Sequence, residues 1–166
     1  MDPIYHQLDF GITCIDTEHM RKDFVAAYLI EDEGRAAFVD TGCYLSVPAL
    51  LATLDDKNIK RENVDYILLT HIHLDHAGGA GELIKHLPNA KVYVHEYGAN
   101  HLIDPSKLRA GVIDVYGELF FKQFLGDLIP TPKDKVITAK DGDVITLGTR
   151  SLKFVDSPGH ARHHVC

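Results

Sequence analysis

Between residues 68 and 79 the chain reads LLTHIHLDHAGG, which places His71, His73, Asp75 and His76 within six positions. Imidazole and carboxylate groups suit zinc, and iron or manganese as well. In an extended segment side chains two apart point the same way, so His71 and His73 can grip one ion together. Asp75 and His76 lie past that point, where a turn can aim them at a second ion. A helix would instead pair His71 with Asp75 and His73 with His76 on shared faces. The apolar run before the cluster and the Gly78-Gly79 pair after it favour a strand end running into a loop. Further along, His160 follows Ser157-Pro158-Gly159, a turn placed directly after a strand-like run. A third imidazole from a neighbouring strand end would complete a three-histidine set with a fourth position open to solvent, the geometry of a catalytic zinc. His163 and His164 follow as groups that could support a ligand, touch substrate or lie on the surface. His6, His19, His86 and His101 are scattered, and each reads as a surface or internally satisfied histidine.

Those side chains need strands and turns to present them. Strand signals appear at 11–15, 24–30 and 36–40, with EDEG at 31–34 as a hairpin turn. Residues 46–56 read as a helix capped by Ser46, with Pro48 in its first turn and Leu50, Leu51 and Leu54 on one face. VDYILLT at 64–70 is apolar enough for a strand buried on both faces. A helix at 79–87 and a strand at 90–96 complete an αβαβ alternation, which implies parallel pairing with right-handed crossovers. Residues 98–129 carry helical spacing and read as packing helices or as a lid, with Tyr116, Phe120, Phe121 and Phe124 either lining a pocket or filling core. Strand signals return at 141–147 and 151–160.

In order along the chain, FVDTG at 38–42, LLTHIHLDHAGGAG at 68–81, KVYVHE at 91–96 and DSPGH at 156–160 resemble the motifs of metallo-β-lactamase-fold hydrolases, with lactonase-like and glyoxalase II-like features in DHAGG. The resemblance implies an αββα sandwich of which residues 1–166 supply about the first half as one domain, with residues 98–133 as a helical insertion or lid. It implies that His71, His73 and His160 hold one zinc ion (iron or manganese being alternatives), and that Asp75 and His76 serve a second ion, with Asp75 also acting in catalysis. Asp40 resembles the family's buried aspartate behind the metal histidines, where a carboxylate accepts a ligand's other N–H; read alone, it is a turn residue after a strand. His164 is assigned a supporting place beside the ligands. His73 stands where flavodiiron relatives carry glutamate, which points to hydrolysis rather than redox chemistry. The family's bridging aspartate and last histidine have no counterpart in this sequence.

The function expected is metal-dependent hydrolysis, in which metal-bound hydroxide, formed from water whose pKa falls to about 7, attacks an ester, lactone, thioester or β-lactam-type bond. The alternatives are a phosphodiesterase of the same fold and a metal-binding module without catalysis. A formal net charge of −7 with no dense basic block disfavours nucleic acid and anionic membranes, leaving a small-molecule substrate. No signal-peptide pattern or membrane span is evident, and Cys14, Cys43 and Cys166 form no framework of disulfides, so a reducing cytoplasm is expected. Half of a two-sheet sandwich exposes the inner face of its sheet, so a truncated or fragmentary chain is expected to pair with a second copy or with a separate C-terminal half.

Overall fold

A computed structural model describes residues 3–166. Four strands open it: β1 (Tyr5–Gln7), β2 (Ile12–Asp16), β3 (Ala26–Asp32) and β4 (Arg35–Val39) form an antiparallel meander. The turn expected at 31–34 tightens to Glu33 and Gly34, both with positive φ. That is the backbone sign a two-residue hairpin needs to match strand twist. Helix α1 (Val47–Asp56) lies within the expected 46–56 range, and Pro48 sits in its first turn. Ser46 precedes it but makes no side-chain cap bond; its hydroxyl faces the Cys43 thiol at 3.5 Å instead.

The alternation then delivers the parallel half of the sheet. Strand β5 (Val64–Leu68) lies parallel between β4 and β6 (Lys91–His95), with Phe38 paired to Ile67 and Ile67 to Val92. Two short helices, α2 (Leu74–Ala77) and α3 (Ala80–Leu83), separate β5 from β6. The single helix expected at 79–87 is thus shorter, finishing in a 3-10 turn at Ile84–His86. Helices α4 (Glu96–Ile103), α5 (Ser106–Tyr116) and α6 (Glu118–Phe120), with a π turn at Phe121–Leu125, occupy the segment read as helical. Strand β7 (Val136–Ala139), absent from the sequence reading, pairs parallel to β6 and completes a seven-stranded sheet in chain order. A separate hairpin follows, β8 (Val144–Leu147) with β9 (Arg150–Lys153). The strand expected at 151–160 therefore ends early, and residues 154–160 are irregular.

Each sheet face has its own core. One carries Phe38, Leu50, Leu54, Ile67, Leu83 and Val92 between the strands and helices α1 and α3. The other carries Ala37, Leu68, Leu147, Phe154 and Val165, so the β8–β9 hairpin and the residues after it lie over the inner face. That face is not bare, contrary to the expectation for an isolated half, although a recess of about 260 Å³ remains between Ile30, Val39, Leu152 and Phe154. The three cysteines are free. Among the described residues no helix is long and apolar enough to cross a membrane.

Candidate metal centre

The candidate ligands converge where β4, β5 and β6 end, the edge at which parallel strands present loops to ligands. Strand β5 stops at Leu68, and residues 69–73 continue in irregular backbone before α2 begins. The two sequence alternatives thus divide the motif between them: His71 and His73 lie on the irregular segment, Asp75 and His76 on the helical turn. His160 arrives from the far end of the chain. Its loop is pinned by Val165 N donating to Thr70 O at 2.8 Å and by the Asp156–Val165 bridge.

One nitrogen from each of His71, His73 and His160 lies within 4.8 Å of the other two. His73 Nδ1 and His160 Nε2 are 3.1 Å apart. Nitrogens on a tetrahedral zinc at about 2.0–2.1 Å are themselves separated by about 3.3 Å, so the spacing fits a single ion. His71 Nε2 is buried and has no hydrogen-bond partner among the described residues. An orphaned buried nitrogen costs free energy unless something is bound to it, and it belongs to the most buried ring of the set. The donor set of three imidazoles is one that zinc takes in hydrolytic sites.

Asp40 sits behind this group. It is buried, at φ +61, directly after β4. Its Oδ1 accepts Thr70 N at 2.8 Å, and the Thr70 hydroxyl reaches the same carboxylate. Thr70 Oγ1 is also 2.9 Å from His71 Nδ1, and Asp40 Oδ2 is 2.9 Å from His76 Nδ1. One carboxylate therefore orients His76 directly and His71 through Thr70. With Nδ1 of both rings engaged, Nε2 is the nitrogen left for an ion. His76 Nε2 lies 3.5 Å from Asp75 Oδ2, so these two offer a nitrogen and an oxygen on one side. The His164 ring centroid is 5.2 Å from that of His71, and its Nδ1 is 2.7 Å from Ser157 Oγ.

Electrostatics favours the neutral, ligating form of His71 and His73. Burial, joined by His76, His73, His160 and His164, pushes His71 down to about 3. Burial and then His160 also lower His73, against the pull of Asp75. Burial would lower His76 too, but the Asp40 hydrogen bond and the charges of Asp40 and Asp75 leave it raised.

Two histidines at this edge escaped sequence reasoning. His95 ends β6; it is buried, and its Nδ1 accepts Tyr97 N at 3.1 Å, which makes it a helix cap. His19, read as surface or satisfied, is not on the surface: it is 7% exposed, and its Nδ1 has no partner among the described residues. It lines a recess of about 560 Å³ together with His73 and Asp75. No spacing signal marks a lone histidine in a loop. Of the aromatics, Tyr116 and Phe120 line that recess, Phe121 is fully buried core, and Phe124 packs on the Phe120 ring. His6 and His86 are exposed and His101 is half-buried.

Known proteins resemble this chain in sequence and in fold. A metallo-β-lactamase fold-containing protein of Sulfurisphaera tokodaii is 30% identical over 146 residues, covering 86% of this chain and 52% of that protein. A hydroxyacylglutathione hydrolase of Salmonella paratyphi A is 30% identical over 142 residues, covering 83% of this chain and 40% of its own length. Among solved structures, a subclass B3 metallo-β-lactamase from a soil metagenome library superposes with a TM-score of 0.72 at 27% identity, covering 99% of this chain and 56% of that one. The chain thus spans about half the length, or less, of the relatives it matches. The family model of the metallo-β-lactamase superfamily matches residues 20–166, nearly everything from the loop after β2 onward. By that match, and by its fold, this chain belongs to the metallo-β-lactamase superfamily.

Proposed function

We propose that this chain carries the three-histidine half of a metal-dependent hydrolase site acting on a carboxylic acyl bond: that of an ester, lactone, thioester or β-lactam. The observation that carries the reading is the convergence of His71, His73 and His160 within 4.8 Å, with His71 Nε2 buried and unpartnered among the described residues. The named relatives include a hydroxyacylglutathione hydrolase and a metallo-β-lactamase, both hydrolytic by their names. A zinc ion held there supplies a Lewis acid that activates solvent and polarises a carbonyl. This chain's residues do the rest. Asp40 and Thr70 fix the rings of His71 and His76. Asp75 and His76 offer donors for a second ion, and the half-exposed Asp75 carboxylate borders the recess in which a substrate would lie. Because the matched relatives are about twice as long or longer, we assign the bridging aspartate and the last histidine of the full site to polypeptide outside this sequence, on the same chain or on a partner.

Metal analysis tests the reading. The protein, purified without chelator, should retain close to one equivalent of zinc, iron or manganese by inductively coupled plasma mass spectrometry. His71→Ala and His160→Ala should each lose it while the far-ultraviolet circular dichroism spectrum is kept. Metal retained by both variants would remove the assignment.

A further inference from the structure

The recess that His19 shares with His73 and Asp75 has a composition of its own. Met20, Phe24, Leu108, Val112, Tyr116 and Phe120 supply most of its wall. No Lys or Arg belongs to that lining. Of two guanidinium groups in the neighbourhood, Arg21 lies over the ring of the wall residue Phe24 at 4.7 Å, and Arg109 lies over Phe121 at 4.6 Å while pairing with Asp127 at 3.0 Å. The charged groups that reach the recess are Asp75 and the neighbouring imidazoles. In the metal-free protein an anionic ligand would meet a carboxylate and no cationic side chain in the lining; an uncharged apolar one would meet a matching wall.

His19 is the polar exception inside it. The side chain is more than nine-tenths buried, yet Nδ1 has no partner among the described residues. Its loop is held in place at a cost. Glu18, Met20 and Asp23 all have positive φ, a conformation that side-chain-bearing residues adopt only when their surroundings enforce it. The Asp16 carboxylate enforces it here by accepting Glu18 N at 2.8 Å and Asp23 N at 2.9 Å. Thr17 Oγ1 adds a bond to Val25 O at 2.8 Å. A braced loop that buries an unsatisfied imidazole against the recess is a built contact awaiting a partner.

We propose that this recess binds the non-reacting part of an ester-type substrate, that this part is apolar and uncharged, and that His19 fixes its orientation through one hydrogen bond from or to Nδ1. The proposal rests on the hydrolase reading for the reacting bond, but the binding itself does not need the metal. In the metal-free protein, ligands whose non-reacting part carries a carboxylate or phosphate are disfavoured by the Asp75 side of the recess.

Methyl-resolved NMR of the full chain, with and without zinc, tests it using three probes: δ-decanolactone, δ-valerolactone and the monomethyl adipate anion. The decanolactone should shift the methyls of Leu108, Val112 and Leu125 and bind at least about tenfold more tightly than the tail-less lactone or the anion, since each buried methylene adds apolar contact. His19→Phe should weaken decanolactone binding about five- to tenfold, and His19→Gln, which keeps a polar group, should restore most of it; the methyl spectra report that both variants are folded. Shifts at Ile30, Val39 and Leu152 in place of the recess methyls would overturn the proposal. So would equal affinity for the anion, or unchanged binding in His19→Phe. Zinc content measured on the same samples separates the two readings. Loss of lactone binding with zinc retained removes this proposal alone, whereas lactone binding without any zinc retention removes the hydrolase reading alone.

Discussion

Asp40 shows how a residue outside the candidate ligand set can fix the rings within and beside it. Its carboxylate reaches Thr70 and His76, and through Thr70 the His71 ring. Asp40→Asn replaces an acceptor oxygen with a donor and should lower zinc affinity about 10- to 100-fold with the fold kept, as measured by competition with a chromogenic chelator. The histidines also set a pH dependence. His71 is held at about 3, far below the roughly 6.5 of an unfolded histidine. Burial, as the largest cause, lowers His19, His73 and His163 as well. A group with a depressed folded pKa leaves stability intact above its unfolded value, and stability is lost as pH falls below it, because the unfolded chain then binds the proton first. His76 is raised and works in the opposite direction, one ring against four. The urea midpoint of the metal-free protein should therefore fall between pH 7 and pH 5; a constant or rising midpoint would contradict this balance. At this scale the sequence was most legible where spacing carried the chemistry. Of the residues that HxHxDH and the turn before His160 named, His71, His73 and His160 lie within 4.8 Å of one another. His19 was invisible, because its burial depends on a loop fixed by Asp16 and not on any pattern around it.

The elements position the site through a few specific joints. Gly81 in α3 faces the Ile129 carbonyl so closely that an added Cβ would overlap it. Gly81→Ala should destabilise the protein by about 1–3 kcal/mol in thermal or urea unfolding, even though alanine is the better helix former. Asp32 at the end of β3 ties down the β8–β9 hairpin, accepting Thr149 N at 2.6 Å, Thr149 Oγ1 at 2.7 Å and Arg150 Nε at 3.0 Å. Asp32→Ala should speed amide hydrogen exchange in residues 144–153 while leaving β5 protected. Exchange that rises equally in both would show that the tie is not local. The alternation of apolar runs made β3 to β6 and α1 readable. Strand β7 was missed because its four residues, VITA, follow a charged 3-10 turn and become a strand only by pairing with β6. The helix expected at 79–87 is present over residues 80–86, but only its first turn is α-helical and the rest is a 3-10 turn.

For the whole molecule, the sheet has one face closed by helices and another only partly covered by the β8–β9 hairpin and the residues after it. Val144 and Val155 remain about half exposed on that side. The two-layer requirement was legible from the apolar strands, but the degree of self-covering was not, since it depends on where the hairpin folds back. If the partly open face pairs with a second copy, at tens of micromolar the chain should elute above its monomer mass of 18.5 kDa when followed by light scattering; a single 18.5 kDa species at all concentrations would contradict that pairing. The central claim is that residues from two distant stretches make one metal centre. Crystals of the zinc-loaded protein, measured at the zinc absorption edge, test it most directly. The account predicts an anomalous peak about 2.0–2.1 Å from one nitrogen each of His71, His73 and His160. A peak bound by fewer than these three rings, or placed elsewhere on the chain, would contradict it.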